Sequence, residues 1–217
     1  MKIVCLSDTH EQGRKINVPD GDVLIHCGDL TYLGKSPAVV NELEWLVSLP
    51  HRWKLFIAGN HDFLFEQQPH EVKAILNHYK GDLIYLEETG MEIDGVKFWG
   101  SPYQPEFLGW AFNRKRGKEL ASYWANMPDV VDVLITHAPP FGFGDTNGDI
   151  YDKRFGDQDL LDRVLKVRPK YHVYGHAHGG YGQYEFNGIK FINCASCNER
   201  YEPVNPPVVI DYDVNIS

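Results

Sequence analysis

The sequence predicts an α/β fold in which helices cover the outside and closing hairpin strands complete a second sheet. Three observations carry this. Short apolar, β-branched runs alternate with segments of helical spacing through the first 175 residues, as βαβ units with largely parallel pairing do. Three further strand-like runs follow closely, with turns such as Asn187-Gly188 between them, a strong hairpin signal. The 217 residues, 43% hydrophobic and 24% charged, suffice for a full core, and residues 1–217 read as a single domain.

Taken in order, the run 2–7 is a strand entering a loop, followed by strands at 23–27, 53–58, 96–100, 132–136 and 171–175, then 181–186, 189–193 and 207–212. Helical spacing marks 37–49, 69–79, 117–126 and 157–168. The first helix opens with Ser36-Pro37, a serine N-cap followed by proline at the first helical position. Two irregular stretches, 101–118 and 138–157, are rich in Gly, Pro and aromatic residues. Long loops in compact domains are functional or mobile, so both are candidate pocket walls.

A net charge of −9 and a sequence pI of about 5.5 argue against an extended nucleic-acid partner, which wants a basic face. They do not exclude a small phosphate ester, because bound cations would dominate the local field. Cys5 and Cys27 lie in apolar runs, and Cys194-Ala195-Ser196-Cys197 lacks the second pair of a zinc site. Reduced thiols in a cytoplasmic protein are expected. The N-terminal run is too soon interrupted by charge for a signal peptide. No apolar run approaches the roughly 18 residues of a membrane span, so no membrane partner is expected.

Five short clusters carry the chemistry: Asp8-Thr9-His10, Gly28-Asp29, Gly59-Asn60-His61-Asp62, His137 and Gly175-His176-Ala177-His178. Each follows the carboxyl end of a predicted strand, where open α/β sheets build their sites. Asp29 or Asn60 alone would be a turn residue, and His137 alone a structural histidine. Together they supply enough oxygen and imidazole ligands for two divalent ions, and a two-metal site clamps the attacking and leaving oxygens of a phosphoester. His26, His51, His70, His78 and His172 lack this placement and read as structural or surface residues.

The series DxH, GD, GNHD, H and GHxH resembles the calcineurin-like metallophosphoesterase superfamily. Gly109-Trp110-Ala111-Phe112-Asn113, Thr136-His137-Ala138-Pro139-Pro140, Gly180-Tyr181-Gly182 and Asn205-Pro206-Pro207 are similar to its metallophosphoesterase-domain-containing branch. The resemblance implies a four-layer α/β/β/α sandwich of two mixed sheets flanked by helices. It implies that Asp8, His10 and His178 bind one metal, that Asn60, His137 and His176 bind a second, and that Asp29 bridges them. A hydroxide between the metals would be the nucleophile. His61 would protonate the leaving oxygen, Asp62 would orient His61, and Asn60 would also touch a phosphate oxygen. Mn²⁺ is the expected ion, with Fe, Zn, Co, Ni or Mg as alternatives.

Absences narrow the choice. The arginine that follows the GD motif in protein phosphatases is missing after Asp29. Tyr32 fits the GDxxY motif of purple acid phosphatases, but those enzymes have glycine where this chain has His10. The implied activity is a phosphodiesterase acting on cyclic nucleotides or similar small diesters. The alternatives are a phosphomonoesterase or nucleotidase, or a non-catalytic scaffold on the same fold. Tyr103, Phe107, Trp110, Phe112 and Phe143 would stack a base or pack the loops. Arg114-Lys115-Arg116 would reach phosphate, Arg116 foremost, or lie on a solvated surface.

Overall fold

The computed structural model describes residues 1–147 and 151–214. Two mixed sheets lie face to face. The first runs, edge to edge, Val208–Asp211 (β15), Lys2–Leu6 (β1), Val23–His26 (β2), Trp53–Phe56 (β3) and Ile84–Tyr85 (β4). Only β15 is antiparallel to its neighbour. The second runs Gly182–Phe186 (β13), Ile189–Asn193 (β14), Tyr171–Tyr174 (β12), Val133–Thr136 (β9), Val96–Ser101 (β6) and Thr89–Ile93 (β5). Its four inner strands are parallel and its edges β13 and β5 antiparallel. Two small ladders complete the set, Gln104–Pro105 (β7) with Asn113–Arg114 (β8), and Thr146–Asn147 (β10) with Tyr151–Arg154 (β11).

The period-two alternation of each strand makes the layers. Ile3, Cys5, Val23, Ile25 and Leu55 of the first sheet meet Phe98, Val133, Ile135, Val173 and Ile192 of the second in one core between the sheets. The intervening Val4, Leu6, Leu24 and Phe56 point outward beneath the helices Ser36–Ser48 (α1), Phe63–Gln67 (α2) and Pro69–His78 (α3). On the far side Trp99, Leu134, Tyr174 and Phe191 pack beneath Lys118–Trp124 (α4) and Gln158–Val167 (α5). Helix, sheet, sheet and helix are thus four layers, and strands buried on both faces read as near-continuous apolar runs.

All nine expected strands and all four expected helices are present, with ends shifted by a few residues. The helix α5 opens at Asp157, whose carboxylate accepts from the Leu160 N–H at 2.8 Å, a side-chain cap. The expected cap at Ser36 is not formed. Lys35 takes the N-cap position, and the Ser36 hydroxyl donates to Glu71 on α3 instead. The segments β4, β5, β7, β8, β10, β11 and α2 are additions to the expected set. Of the 138–157 loop, residues 148–150 lie outside the described residues. Among the described residues no helix is long and apolar enough to cross a membrane.

The registers place the site. Leu6, His26 and Phe56 stand side by side at the ends of β1, β2 and β3, so the loops after them leave from one edge. A bridge between Ser7 and Ala195 joins that edge to the corresponding end of the second sheet.

Candidate metal centre

Asp8, His10, Asp29 and His176 all have left-handed backbones, with φ of 53°, 43°, 55° and 65°. Such residues cost of order 1 kcal/mol each and persist where the surroundings hold them. Here the Asp8 N–H donates to the Gly28 carbonyl at 2.9 Å, His10 N–H to the Asp29 carbonyl at 3.1 Å, and His176 N–H to the Asp8 carboxylate at 3.0 Å. The bends turn both members of Asp8-x-His10 and His176-x-His178 toward one point. Gly175 lets the GHxH loop cross closely, since a Cβ there would collide with the Asp8 carboxylate and the Ser7 hydroxyl.

The ring nitrogens are fixed from behind. Nδ1 of His10 faces the Thr31 carbonyl at 3.3 Å, that of His137 the Cys27 carbonyl at 2.9 Å, and that of His178 the Asn198 carbonyl at 2.9 Å. A carbonyl only accepts, so each Nδ1 carries the proton and each Nε2 turns a lone pair inward. His10 Nε2 and His178 Nε2 then lie 3.3 Å apart, with Asp8 Oδ1 3.3 Å from the latter. Asn60 Oδ1 lies 2.8 Å from His137 Nε2 and 2.7 Å from His176 Nδ1. Asp29 Oδ2 sits between the two groups, 3.8 Å from His10 Nε2 and 3.5 Å from His137 Nε2.

Lone pairs crowded at these distances repel unless a cation or proton lies among them. The donors form two triads, Asp8-His10-His178 and Asp29-His137-His176, with Asp29 also meeting His10 and His61. Oxygen and imidazole donors suit Mn, Fe, Co, Ni or Zn, so the residues fit a pair of divalent ions. The four cysteines are free and buried, and the Tyr32 hydroxyl accepts from the Gln12 amide at 3.1 Å, outside the cluster.

The protonation pattern agrees. Burial opposes ionisation of Asp8, but the His178 ring bonded to it holds the carboxyl well below the usual range. Asp29 is likewise lowered against its burial, chiefly by His137 and His61. Burial pushes His10 down to about 4 and His176 to about 3. His137 is buried too, yet Asp29 raises it to about 9. In the metal-free protein a proton on His137 takes the place of a cation.

One expected role is corrected, and one residue lies apart from the main cavity. Asp62 does not orient His61. Its carboxylate accepts from the N–H groups of Gly59, Leu30 and Thr31 and from the Thr31 hydroxyl, at 2.8–3.1 Å, and so ties the GNHD loop to the GD loop. His61 Nδ1 instead meets the Tyr32 carbonyl at 2.8 Å, and its N–H donates to Asp29 Oδ1 at 2.8 Å. Arg116 is not in the main cavity. Its guanidinium bonds the Gly156 and Phe155 carbonyls and Asp157.

A cavity of about 320 Å³ opens over the cluster, with Asp29, Asn60, His61, His176 and His178 in its floor. Phe107, Leu108, Trp110 and Phe155 form one wall, and Glu199, Tyr201 and Asn147 line the rest. Of the aromatic residues singled out, Phe107 and Trp110 reach this cavity; Trp110 lies on His61 with ring centres 4.0 Å apart. Phe112 is in the core beneath α2 and α3, Phe143 stacks on Phe191, and Tyr103 packs on Tyr123. The wall 101–118 is therefore real, but only part of it faces the site.

The sequence reading also passed over His26. Its ring spans Thr9 Oγ1 at 3.0 Å and the Gly28 N–H at 3.3 Å, bracing the DxH loop against the GD loop. The legible signal was a polar residue at the outward, helix-facing position that Leu24 also occupies. Tyr201, Glu199 and Phe155 carried no such signal.

Comparison with known proteins fits this geometry. The model of the calcineurin-like phosphoesterase family matches residues 1–180, a span that carries every residue of both triads. Human metallophosphoesterase domain-containing protein 1 is 40% identical over 97% of this chain and 70% of its own length. A UPF0046 protein of Caenorhabditis elegans is 40% identical over 96% of this chain and 74% of its own. Among solved structures, TT1561 of Thermus thermophilus shares the fold, with a TM-score of 0.56 at 12% identity over 88% of each chain. With the family's motifs in order and their donor atoms converging on one rim, this chain belongs to the calcineurin-like phosphoesterase family.

Proposed function

We propose that this protein is a metal-dependent phosphodiesterase acting on small diesters, cyclic nucleotides foremost, through a dinuclear centre. The observation that carries the reading is the pair of inward-facing donor triads meeting at Asp29. Asp8, His10 and His178 would hold one ion and Asn60, His137 and His176 the other, with Asp29 shared. Two divalent ions there supply Lewis-acid stabilisation of phosphoryl oxygens and a nucleophile at neutral pH.

The chain's own groups do the rest. The Asp29 carboxylate would lower the repulsion between the ions, and the Asn60 amide would touch a phosphate oxygen. His61 keeps Nδ1–H on the Tyr32 carbonyl and turns Nε2 toward the cavity, 4.0 Å from Asp29 Oδ2. From there, as the imidazolium, it would hand a proton to the leaving oxygen. Trp110 covers its other face, with ring centres 4.0 Å apart. No lysine or arginine lines this cavity among the described residues, which suits a singly charged diester better than a dianionic monoester. The aromatic wall suits a base or aryl substituent.

The test is hydrolysis of bis-p-nitrophenyl phosphate by protein loaded with Mn²⁺ or its alternatives, beside p-nitrophenyl phosphate. Diester turnover that chelation removes and metal restores, at least about 10³-fold lower in Asp29→Asn, is expected. Equal turnover in that variant, or preference for the monoester, overturns the reading.

A further inference from the structure

A second, smaller cavity of about 180 Å³ adjoins the main one and shares Phe107, Phe155 and His176 with it. The two phenyl rings meet edge to face, centres 5.4 Å apart, and Phe155 also touches the His176 ring. They form a partition between the cavities. Behind it lie Arg116 and Arg154, with Pro105 and the exposed Glu106 at the rim. The main cavity holds no lysine or arginine among the described residues; this one holds two arginines.

Each arginine is anchored by a carboxylate and half-exposed, and Arg154 also lies over the Phe141 ring at 5.2 Å. Arg154 gives one bond to Asp145, at 2.8 Å. Arg116 gives three, to Asp157 and the carbonyls of Gly156 and Phe155. Both carboxylates are buried, while the arginine side chains are 51% and 47% exposed. A guanidinium has five N–H donors, so two on Arg116 and four on Arg154 remain for a ligand. The anchoring also removes the rotamer freedom that a lone surface arginine would lose on binding. Arg114, the third arginine of this region, is spent on Glu66 and Tyr123.

We propose that this side cavity is an anion subsite, in which Arg116 and Arg154 hold a second phosphate group of a ligand whose first phosphate lies over the metal centre. Guanidinium forks match phosphate oxygens in geometry and charge. The proposal rests on the phosphodiesterase reading and sharpens it. The preferred substrate carries a phosphate remote from the diester that is cut, on the face of the nucleoside or other scaffold that passes Phe107 and Phe155.

The test titrates the metal-loaded full chain by calorimetry with adenosine 5′-monophosphate and with adenosine 3′,5′- and 2′,5′-bisphosphate. At least one bisphosphate should bind about tenfold or more tightly than the monophosphate, as an added charge-assisted contact allows. That ratio should shrink in Arg116→Gln and in Arg154→Gln and vanish in the double variant. Because both affinities are read on one preparation, a general loss of folded protein leaves the ratio intact. Arg154→Lys, which keeps a partner for Asp145, should retain part of it. A wild-type ratio near one, or a preference that survives in the double variant, overturns the proposal. Turnover of bis-p-nitrophenyl phosphate by the wild-type protein is measured alongside; its absence would overturn the diesterase reading, while the titration still decides the subsite.

Discussion

The floor of the cavity and its wall are built by opposite rules. On the floor each imidazole is fixed through its second nitrogen or by a left-handed backbone, and His10 is held by both. On the wall the side chains meet through ring faces, and Leu108 is 71% exposed. A floor side chain displaced by an ångström loses a ligand bond, whereas a displaced wall ring loses only contact area. Chemistry demands fixed distances and recognition tolerates adjustment, so strand ends carry the first and loops the second.

The largest expected effect comes from a change that removes no ligand. Gly175→Ala places a methyl group on the Asp8 carboxylate and the Ser7 hydroxyl. Neither neighbour has room to retreat, because both are fully buried. Metal content measured on the purified variant should drop, and diester turnover should fall about 10³-fold, much as in Asp29→Asn. Near-normal turnover would mean that the floor is more compliant than its hydrogen bonds indicate.

His61 stands where floor meets wall, with Asp29 on one side and Trp110 on the other. His61→Ala should keep its metals and lose about 10²-fold in kcat, more for esters with poor leaving groups. Lost metal would move His61 into the ligand set. Trp110→Ala is the contrast, with KM raised several-fold and metal content unchanged.

A smaller effect follows from His137. Burial lowers its affinity for a proton, but Asp29 outweighs burial and holds it near 9. Metal needs the bare nitrogen, so at pH 7 loading must displace that proton. Apparent metal affinity should rise about tenfold per pH unit up to about 9 and then level. Calorimetry in buffers of different ionisation enthalpy should count at least one proton released, since burial of His178 is likewise outweighed by Asp8, and none released would break this account.

The floor was legible in the sequence because each donor residue lies just after an apolar strand, and strand ends on one edge of parallel sheets converge. The layers were legible because alternate residues of runs such as Ile3-Val4-Cys5-Leu6 are all apolar. The edge strand β5 was not, since Thr89-Gly90-Met91-Glu92-Ile93 is mostly half-buried or exposed and lacks that pattern. Asp62 beside His61 suggested a pair, but the chain turns between them and the carboxylate finds donors in the neighbouring loop. Phe155 and Tyr201 reach the cavity on loops whose course depends on contacts distant in sequence, which local pattern does not encode.

A control for the contrast lies beneath the floor, on α1. The Glu42 side chain is fully buried, with one oxygen bonded by Arg14 and Asn41 and the other without a partner among the described residues. Burial, against the pull of Arg14 and Asn41, raises it to about 7. The folded state therefore binds this proton more tightly than the unfolded chain. Stability from this group is fully present below the unfolded value, near 4.5, and is lost as pH rises toward 7. The loss is at most about 3 kcal/mol. Urea unfolding of the wild-type protein should show that decline between about pH 4.5 and 7, and Glu42→Gln should flatten it. Turnover at fixed metal loading should not change, because the charge sits in the helix layer and touches no ligand. A variant that unfolded with the wild-type pH dependence would place the titrating group elsewhere. One that altered turnover would mean that the floor is not insulated from the layer supporting it.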